Sequence, residues 1–296
     1  MNLRQMEFAL AVAEESSFTR AAQRCHTVQS ALSHQIARLE RELGATLFER
    51  TSRQVRLTAA GEAFVRQARL TLDTARRIPD EVAAASGQVR GSLAVGSITS
   101  LTAIDAVALL ASFHVKYAHV NIRLNLGDSE HLLNDVRERR LDVAFLGLRH
   151  GESVQGVDHL LLAQERLVAV LPPAHPMSGH KRLTLQMLVD QPLVDFPSGS
   201  SARRQTDGAF GALGLSHQIR FEVEHMALIE QFVSYGLAIG LVPEPIAATF
   251  KGVVSIPVQN APKRVLYAVW SKTPMPAALA FVALLREEFV KIGGKH

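Results

Sequence analysis

Three stretches of the sequence gather hydroxyl groups where ligand chemistry is possible: Ser97-Ile98-Thr99-Ser100, Gly127-Asp128-Ser129 and Pro197-Ser198-Gly199-Ser200-Ser201. The first two follow short apolar runs, and all three precede helical patterns. In an open α/β sheet, ligands sit beyond the carboxyl ends of the strands, where helix N-termini present N–H groups and favour negative charge. Hydroxyls placed there can hold a small anion or another polar metabolite. The same hydroxyls also suit helix capping, which suffices for at least half of them. Catalysis finds little support. Residues 197–201 lack the first glycine of a nucleophile elbow and any paired base. His114 and His119 are not accompanied by the glutamate of a zinc-binding helix. Cys25 is the only cysteine, so an intrachain disulfide and a four-cysteine zinc site are excluded. A reactive thiol needs a low pKa and exposure; a small hydrophobe on a short helix accounts for Cys25 equally well. The pattern is that of a binding protein rather than an enzyme, with no cofactor and no metal.

Two kinds of element must position these groups. Before residue 90 the patterns are helical. An apolar stripe at Leu3, Met6, Phe8, Leu10, Ala11 and Val12 ends at Glu14-Glu15, and Ser17 or Thr19 can cap a second helix. A third runs from about Val28 to Leu43, with Ala31, Leu32, Ile36, Leu39 and Leu43 on one face and Gly44 behind it. A hairpin-like stretch follows, with Leu47 and Phe48 expected in the core and a polar tip at residues 51–54. Residues 59–78 form a long helix opened by Thr58. Its narrow stripe of Phe64, Ala68, Leu72 and Ala75 needs a partner surface, either its own domain or a second copy of the chain. Proline within a helix costs about 3 kcal/mol, and Asp80-Glu81 after Pro79 suit a new helix start. A break near Ile78 is therefore expected. From Gly91 onward, short Val/Leu/Ala-rich runs alternate with helical stretches, the βαβ rhythm of a parallel sheet.

Composition narrows the choice of partner. At 296 residues with 47% hydrophobic content, the chain can support two ordinary cores. No apolar run reaches the roughly 18 residues of a spanning helix, and the first residues carry no apolar signal core; a cytoplasmic protein without membrane contact is expected. The net charge is +4, a mild bias. Every Lys or Arg before Lys116 is arginine, whose planar fork suits phosphate and guanine edges.

The order Ser17-Phe18-Thr19-Arg20-Ala21-Ala22, Gln29-Ser30-Ala31-Leu32-Ser33-His34-Gln35-Ile36, Leu39-Glu40-Arg41-Glu42-Leu43-Gly44, Leu47-Phe48-Glu49-Arg50 and Leu57-Thr58-Ala59-Ala60-Gly61 resembles the N-terminal signature of LysR-type transcriptional regulators. The resemblance continues more loosely through Leu141-Asp142-Val143-Ala144, residues 170–176 and residues 236–243. It implies an α/β chain with an N-terminal winged helix-turn-helix over 1–58, a linker and dimerisation helix over 59–90, and an effector-binding domain over 91–296. That last domain is expected to be a pair of α/β subdomains like a periplasmic binding protein, 91–161 with 266–296 and 162–265, with a ligand cleft between them.

The resemblance also implies roles. A recognition helix reads bases with its N-terminal residues, here Gln29, Ser30, Ala31, Ser33 and His34. Arg38 lies one turn on, and Arg50 and Arg53 belong to the wing tip, which offers phosphate or minor-groove contacts. Arg38 and Arg41 also suit surface pairs with Glu40 or Glu42, the preferred reading for Arg41. The family usually places Ser or Thr just before the recognition helix. Here Val28 stands there, so either Thr27 caps one residue early or DNA phosphate meets the free N–H groups. Family pockets point to Thr99, Ser100, Ser129, Phe196, Ser198 and Ser200, with His225 as a further candidate. Promoter DNA, a small polar or anionic metabolite and other copies of the chain, as dimer or tetramer, are the partners implied.

Overall fold

A computed structural model describes residues 1–50, 55–291 and 293. The chain divides into two compact units, Met1–Ala85 and Ser86–His296. The first contains α1 (Leu3–Glu15), α2 (Phe18–Arg24), α3 (Gln29–Leu43), β1 (Phe48–Arg50), β2 (Val55–Leu57) and α4 (Ala59–Ala85). The expected winged helix-turn-helix is present. Asn2 and Gln5 form a reciprocal capping box at the start of α1, and the Gln5 amide then donates to Gln35 Oε1 of α3 at 3.2 Å. Ser17 caps α2. Gly44 ends α3 at φ 65°, a left-handed turn that glycine makes without a Cβ clash. Phe8, Val12, Phe18, Leu32, Ile36, Leu39, Leu47 and Phe48 are buried together. Leu43, expected among them, is 39% exposed, because the helix ends there and its last turn projects beyond the core.

Two expectations about α4 are corrected. The helix runs unbroken through Pro79 to Ala85. Good helix formers on both sides, among them Ala75, Arg76, Glu81 and Ala83, outweigh the local cost of the proline. The stripe given to dimerisation is also filled by the chain itself. Ala68 and Leu72 are buried against Met6, with Leu10 and Phe64 packed beside them, while Ala75 is only half-buried. Met6 and Leu10, one helical turn apart on α1, supply the partner surface that the narrow stripe requires.

The second unit contains β3 (Gly91–Ser97), α5 (Ala106–Lys116), β4 (Val120–Leu126), α6 (Ser129–Arg137), β5 (Val143–Arg149), β6 (Asp158–Leu171), β7 (Leu183–Thr184), α7 (Leu185–Leu188), β8 (Leu193–Asp195), α8 (Ser201–Gly211), β9 (Ile219–Glu222), α9 (Met226–Ser234), β10 (Ile239–Pro243), α10 (Glu244–Ala247), β11 (Val254–Gln259), β12 (Lys263–Trp270) and α11 (Pro276–Lys291). The strand order is β4-β3-β5-β12-β6-β10-β8-β9, with β11 pairing β6 and β7. The expected parallel pairings are present in β4-β3-β5 and β10-β8-β9, but β12 and β6 join them antiparallel.

β6 is the shared element. Its residues 158–166 pair with β12, and 167–171 pair with β10 and β11. The two halves of the unit therefore exchange between Arg166 and Leu167 and between Gln259 and Lys263, not near 161 and 265 as expected. Each half has its own core. Phe113, Phe145, Leu146 and Phe281 are fully buried in one, and Leu167, Leu193, Phe210 and Ile239 in the other; each such side chain contributes about 1.5–3 kcal/mol by leaving water.

Candidate functional site

In the first unit, the residues expected to meet DNA lie at the start of α3. Gln29, Ser30, Ala31, His34 and Arg38 are exposed and Ser33 is half-buried. Their orientation follows from the opposite face, where Leu32, Ile36 and Leu39 are fully buried. The Gln29 amide donates to Ser33 Oγ at 2.9 Å, which joins two adjacent turns into one polar surface. Val28 occupies the N-cap in extended conformation and supplies no side-chain bond. Thr27 therefore does not cap the helix, and the first N–H groups of α3 are left for an outside acceptor. Glu40 Oε1 accepts from the amides of Leu47 at 2.7 Å and Phe48 at 3.2 Å, which fixes the start of the wing to α3. The Arg41 pair with Glu40 or Glu42 is not formed: Arg41 donates to the Ala37 carbonyl, and Glu42 pairs with the amino terminus. Arg50 ends β1; Arg53 lies outside the described residues. Burial pushes the half-buried Cys25 thiol up, which disfavours the reactive thiolate.

In the second unit, all seven residues proposed for ligand contact, Thr99, Ser100, Ser129, Phe196, Ser198, Ser200 and His225, line one cavity of about 620 Å³. They come from the ends of β3, β4 and β8 and from the residues that open α6, α8 and α9. The structure separates them by availability. Thr99, Ser198 and His225 are exposed in it and Phe196 is half-buried. Ser129 is 2% exposed, and its hydroxyl both donates to the Gly147 carbonyl and accepts from the Gly147 amide. Ser200 caps α8 by accepting from Arg203 N. Ser100 Oγ accepts from Arg264 Nη1 at 2.7 Å. The capping alternative thus describes Ser200, and a related structural role describes Ser100 and Ser129.

Several residues on the wall escaped the sequence reading. Asp128 Oδ1 accepts from Glu130 N at the start of α6, and its Oδ2 accepts from Ser201 N at the start of α8, at 2.8 Å. One carboxylate therefore bridges the two halves. Arg204 reinforces the bridge by pairing with Glu130 at 2.9 Å. Gln205, 5% exposed, donates to the Gly147 carbonyl at 3.4 Å. Arg264 is 3% exposed and pairs with Glu165 at 2.7 Å, while the Thr102 hydroxyl donates to the same carboxylate. Burial lowers the Arg264 pKa, and Glu165 opposes that shift. In the sequence Arg264 stands beside Lys263 just ahead of the apolar run Val265–Trp270, which does not set it apart. Behind Phe196, Asp195 is buried, and burial pushes its carboxyl up to about 6. Its Oδ1 accepts from Phe196 N at 2.7 Å, while Oδ2 has no partner among the described residues.

Comparisons with known proteins place both units. Residues 3–62 match the model of the bacterial regulatory helix-turn-helix protein, lysR family, and residues 86–290 match that of the LysR substrate binding domain. The chain is 28% identical over 300 residues to the RuBisCO operon transcriptional regulator of Allochromatium vinosum, covering 99% of this chain and 98% of that one. It is 33% identical over 264 residues to the transcriptional dual regulator GltC of Bacillus subtilis, covering 88% and 87%. Among solved structures, full-length CbnR complexed with its target DNA has a TM-score of 0.67 at 27% identity, covering 97% of this chain and 99% of that one. A full-length OxyR of Pseudomonas aeruginosa has a TM-score of 0.71 at 24% identity, covering 98% and 94%, a likeness of fold. Two matched domain models covering most of the sequence, with full-length relatives that are regulators, show that the chain belongs to the LysR family of transcriptional regulators.

Proposed function

We propose that this member of the family reads promoter DNA with α3 and changes its regulatory output when a small polar metabolite occupies the cavity of the second unit. The observation that carries the DNA reading is the polar surface of Gln29, Ser30, His34 and Arg38 exposed over a fully buried Leu32–Ile36–Leu39 face. It is supported by the relative solved on its target DNA. Gln29 suits a bidentate contact to adenine and Ala31 a thymine methyl. Arg38, Arg50 and Arg53 suit phosphates, which set affinity and salt dependence rather than sequence.

One unit offers few contacts, and a two-fold pair doubles them on a pseudo-palindrome. Self-association is proposed through the α4 stripe Leu70, Thr74 and Ile78, spaced one turn apart, with Ile78 61% exposed. The effector reading rests on the cavity of about 620 Å³ and the accessible hydroxyls of Thr99 and Ser198. Occupancy shifts the output only if one arrangement of the two halves holds the ligand better than the other. A cavity-filling Ser198→Phe tests this in a promoter reporter run beside an operator titration. Lost metabolite response with retained operator binding supports the reading; an unchanged response contradicts it.

A further inference from the structure

We infer that the cavity selects a small organic cation or another donor-bearing ligand over an anion, because Asp128 already occupies the place an anion would take. This assignment rests on the effector reading of the same cavity. A helix N-terminus attracts anions through its free N–H groups and partial positive charge. Two such ends, those of α6 and α8, meet at the wall, one from each half of the unit. Asp128 accepts from both, at Glu130 N with Oδ1 and at Ser201 N with Oδ2, and Ser200 takes the Arg203 amide as well. The third end, at α9, has His225 as its N-cap with no side-chain hydrogen bond, and Glu224 stands one residue before it, so a carboxylate lies close to that end in sequence.

The cations do not reverse this balance. Arg264 directs its donors to Glu165 Oε2, Ser100 Oγ and the Ser100 carbonyl. Arg204 faces Glu130. His131 and His225 add positive charge only when protonated. Glu224 is exposed in the cavity with no ion pair among the described residues. The buried Gln205 adds no free donor, since its Nε2 is committed to the Gly147 carbonyl. Among the wall's charged groups the exposed Glu224 is the one without an ion pair among the described residues, and an ammonium group brings it up to three donors.

The test uses the full chain and three four-carbon probes: n-butylammonium, butyrate and 1-butanol. Binding is read by saturation-transfer NMR titration at a pH of about 8, where unperturbed imidazole is neutral. Butylammonium is expected to bind about tenfold more tightly than butyrate, and Ser198→Phe should block it. Asp128→Asn should bring the two affinities together. Because Asp128 also ties two helices, Glu224→Gln at an exposed position is the second variant; it should weaken butylammonium roughly two- to five-fold while leaving butanol unchanged. Butyrate binding more tightly than butylammonium, or a Glu224→Gln chain that keeps the full preference, overturns the charge assignment alone. Failure of all three probes to bind, or binding that Ser198→Phe leaves intact, overturns the effector reading itself.

Discussion

Gly61 shows how tightly one position can be set by its surroundings. A Cβ built there would stand 2.1 Å from the Leu47 carbonyl oxygen and 2.9 Å from Leu57 Cδ2. The Thr58 hydroxyl accepts from Gly61 N at 2.9 Å and donates to the Thr46 carbonyl at 2.7 Å, so backbone on both sides is fixed. Gly61→Ala should lower the denaturation midpoint of the first unit, at a cost of order 1–3 kcal/mol for overpacking; an unchanged midpoint would refute the close approach. Asp195 makes a pH prediction. Its folded value of about 6 lies above the ordinary aspartate range near 4, so the folded state holds the proton more firmly than the unfolded state. Its contribution therefore weakens as pH rises from about 4 to about 6 and is constant above that. Asp195→Asn should be the more stable chain at neutral pH, with an advantage that shrinks toward pH about 4, read as paired urea midpoints.

Among the elements, β6 and β12 cross between the halves, and a buried ion pair sits where they do. Arg264 on β12 and Glu165 on β6 meet at 2.7 Å, and the same guanidinium holds both the hydroxyl and the carbonyl of Ser100, just after β3. Removing one partner of a buried pair strands the other charge, typically at a cost of about 3–5 kcal/mol. Glu165→Gln should thus unfold the second unit at markedly lower denaturant, while a loss under about 1 kcal/mol would deny the pair its role. These elements also mark what the sequence could convey. Periodicity located α3 and most strands of the second unit because each buries one face or both. In β6 the apolar signal is continuous only from Leu167, since residues 158–166 mix exposed and buried positions and carry Asp158, His159, Gln164, Glu165 and Arg166. β11 was missed because Ser255, Pro257 and Gln259 break its apolar pattern. Thr99, Ser100, Ser129, Ser198 and Ser200 were legible as hydroxyls that follow strands and open helices, and the resemblance to the family added Phe196 and His225. Asp128, Gln205 and Arg264 were not, because their long-range partners lie 58 to 164 positions away and no local spacing reports such contacts.

At the scale of the whole molecule, the chain joins a helix-turn-helix unit to one that matches the LysR substrate binding domain, and on the proposed reading self-association multiplies the first. If the outer stripe of α4 carries that contact, Ile78→Glu should shift the mass seen by light scattering toward the monomer with little change in folding. Leu72→Glu, by contrast, should unfold the first unit, because its side chain is buried against Met6. A folded monomer from Leu72→Glu, or an oligomer unaffected by Ile78→Glu, would return the interface to the inner stripe. The central claim, that α3 reads sequence, is tested most directly by selecting bound sites from random duplex DNA with the full chain and with Gln29→Ala. The account predicts that Gln29→Ala relaxes preference at one base position per half-site, at a cost of about 1–3 kcal/mol, and leaves the others intact. An identical selected site for both chains would contradict it.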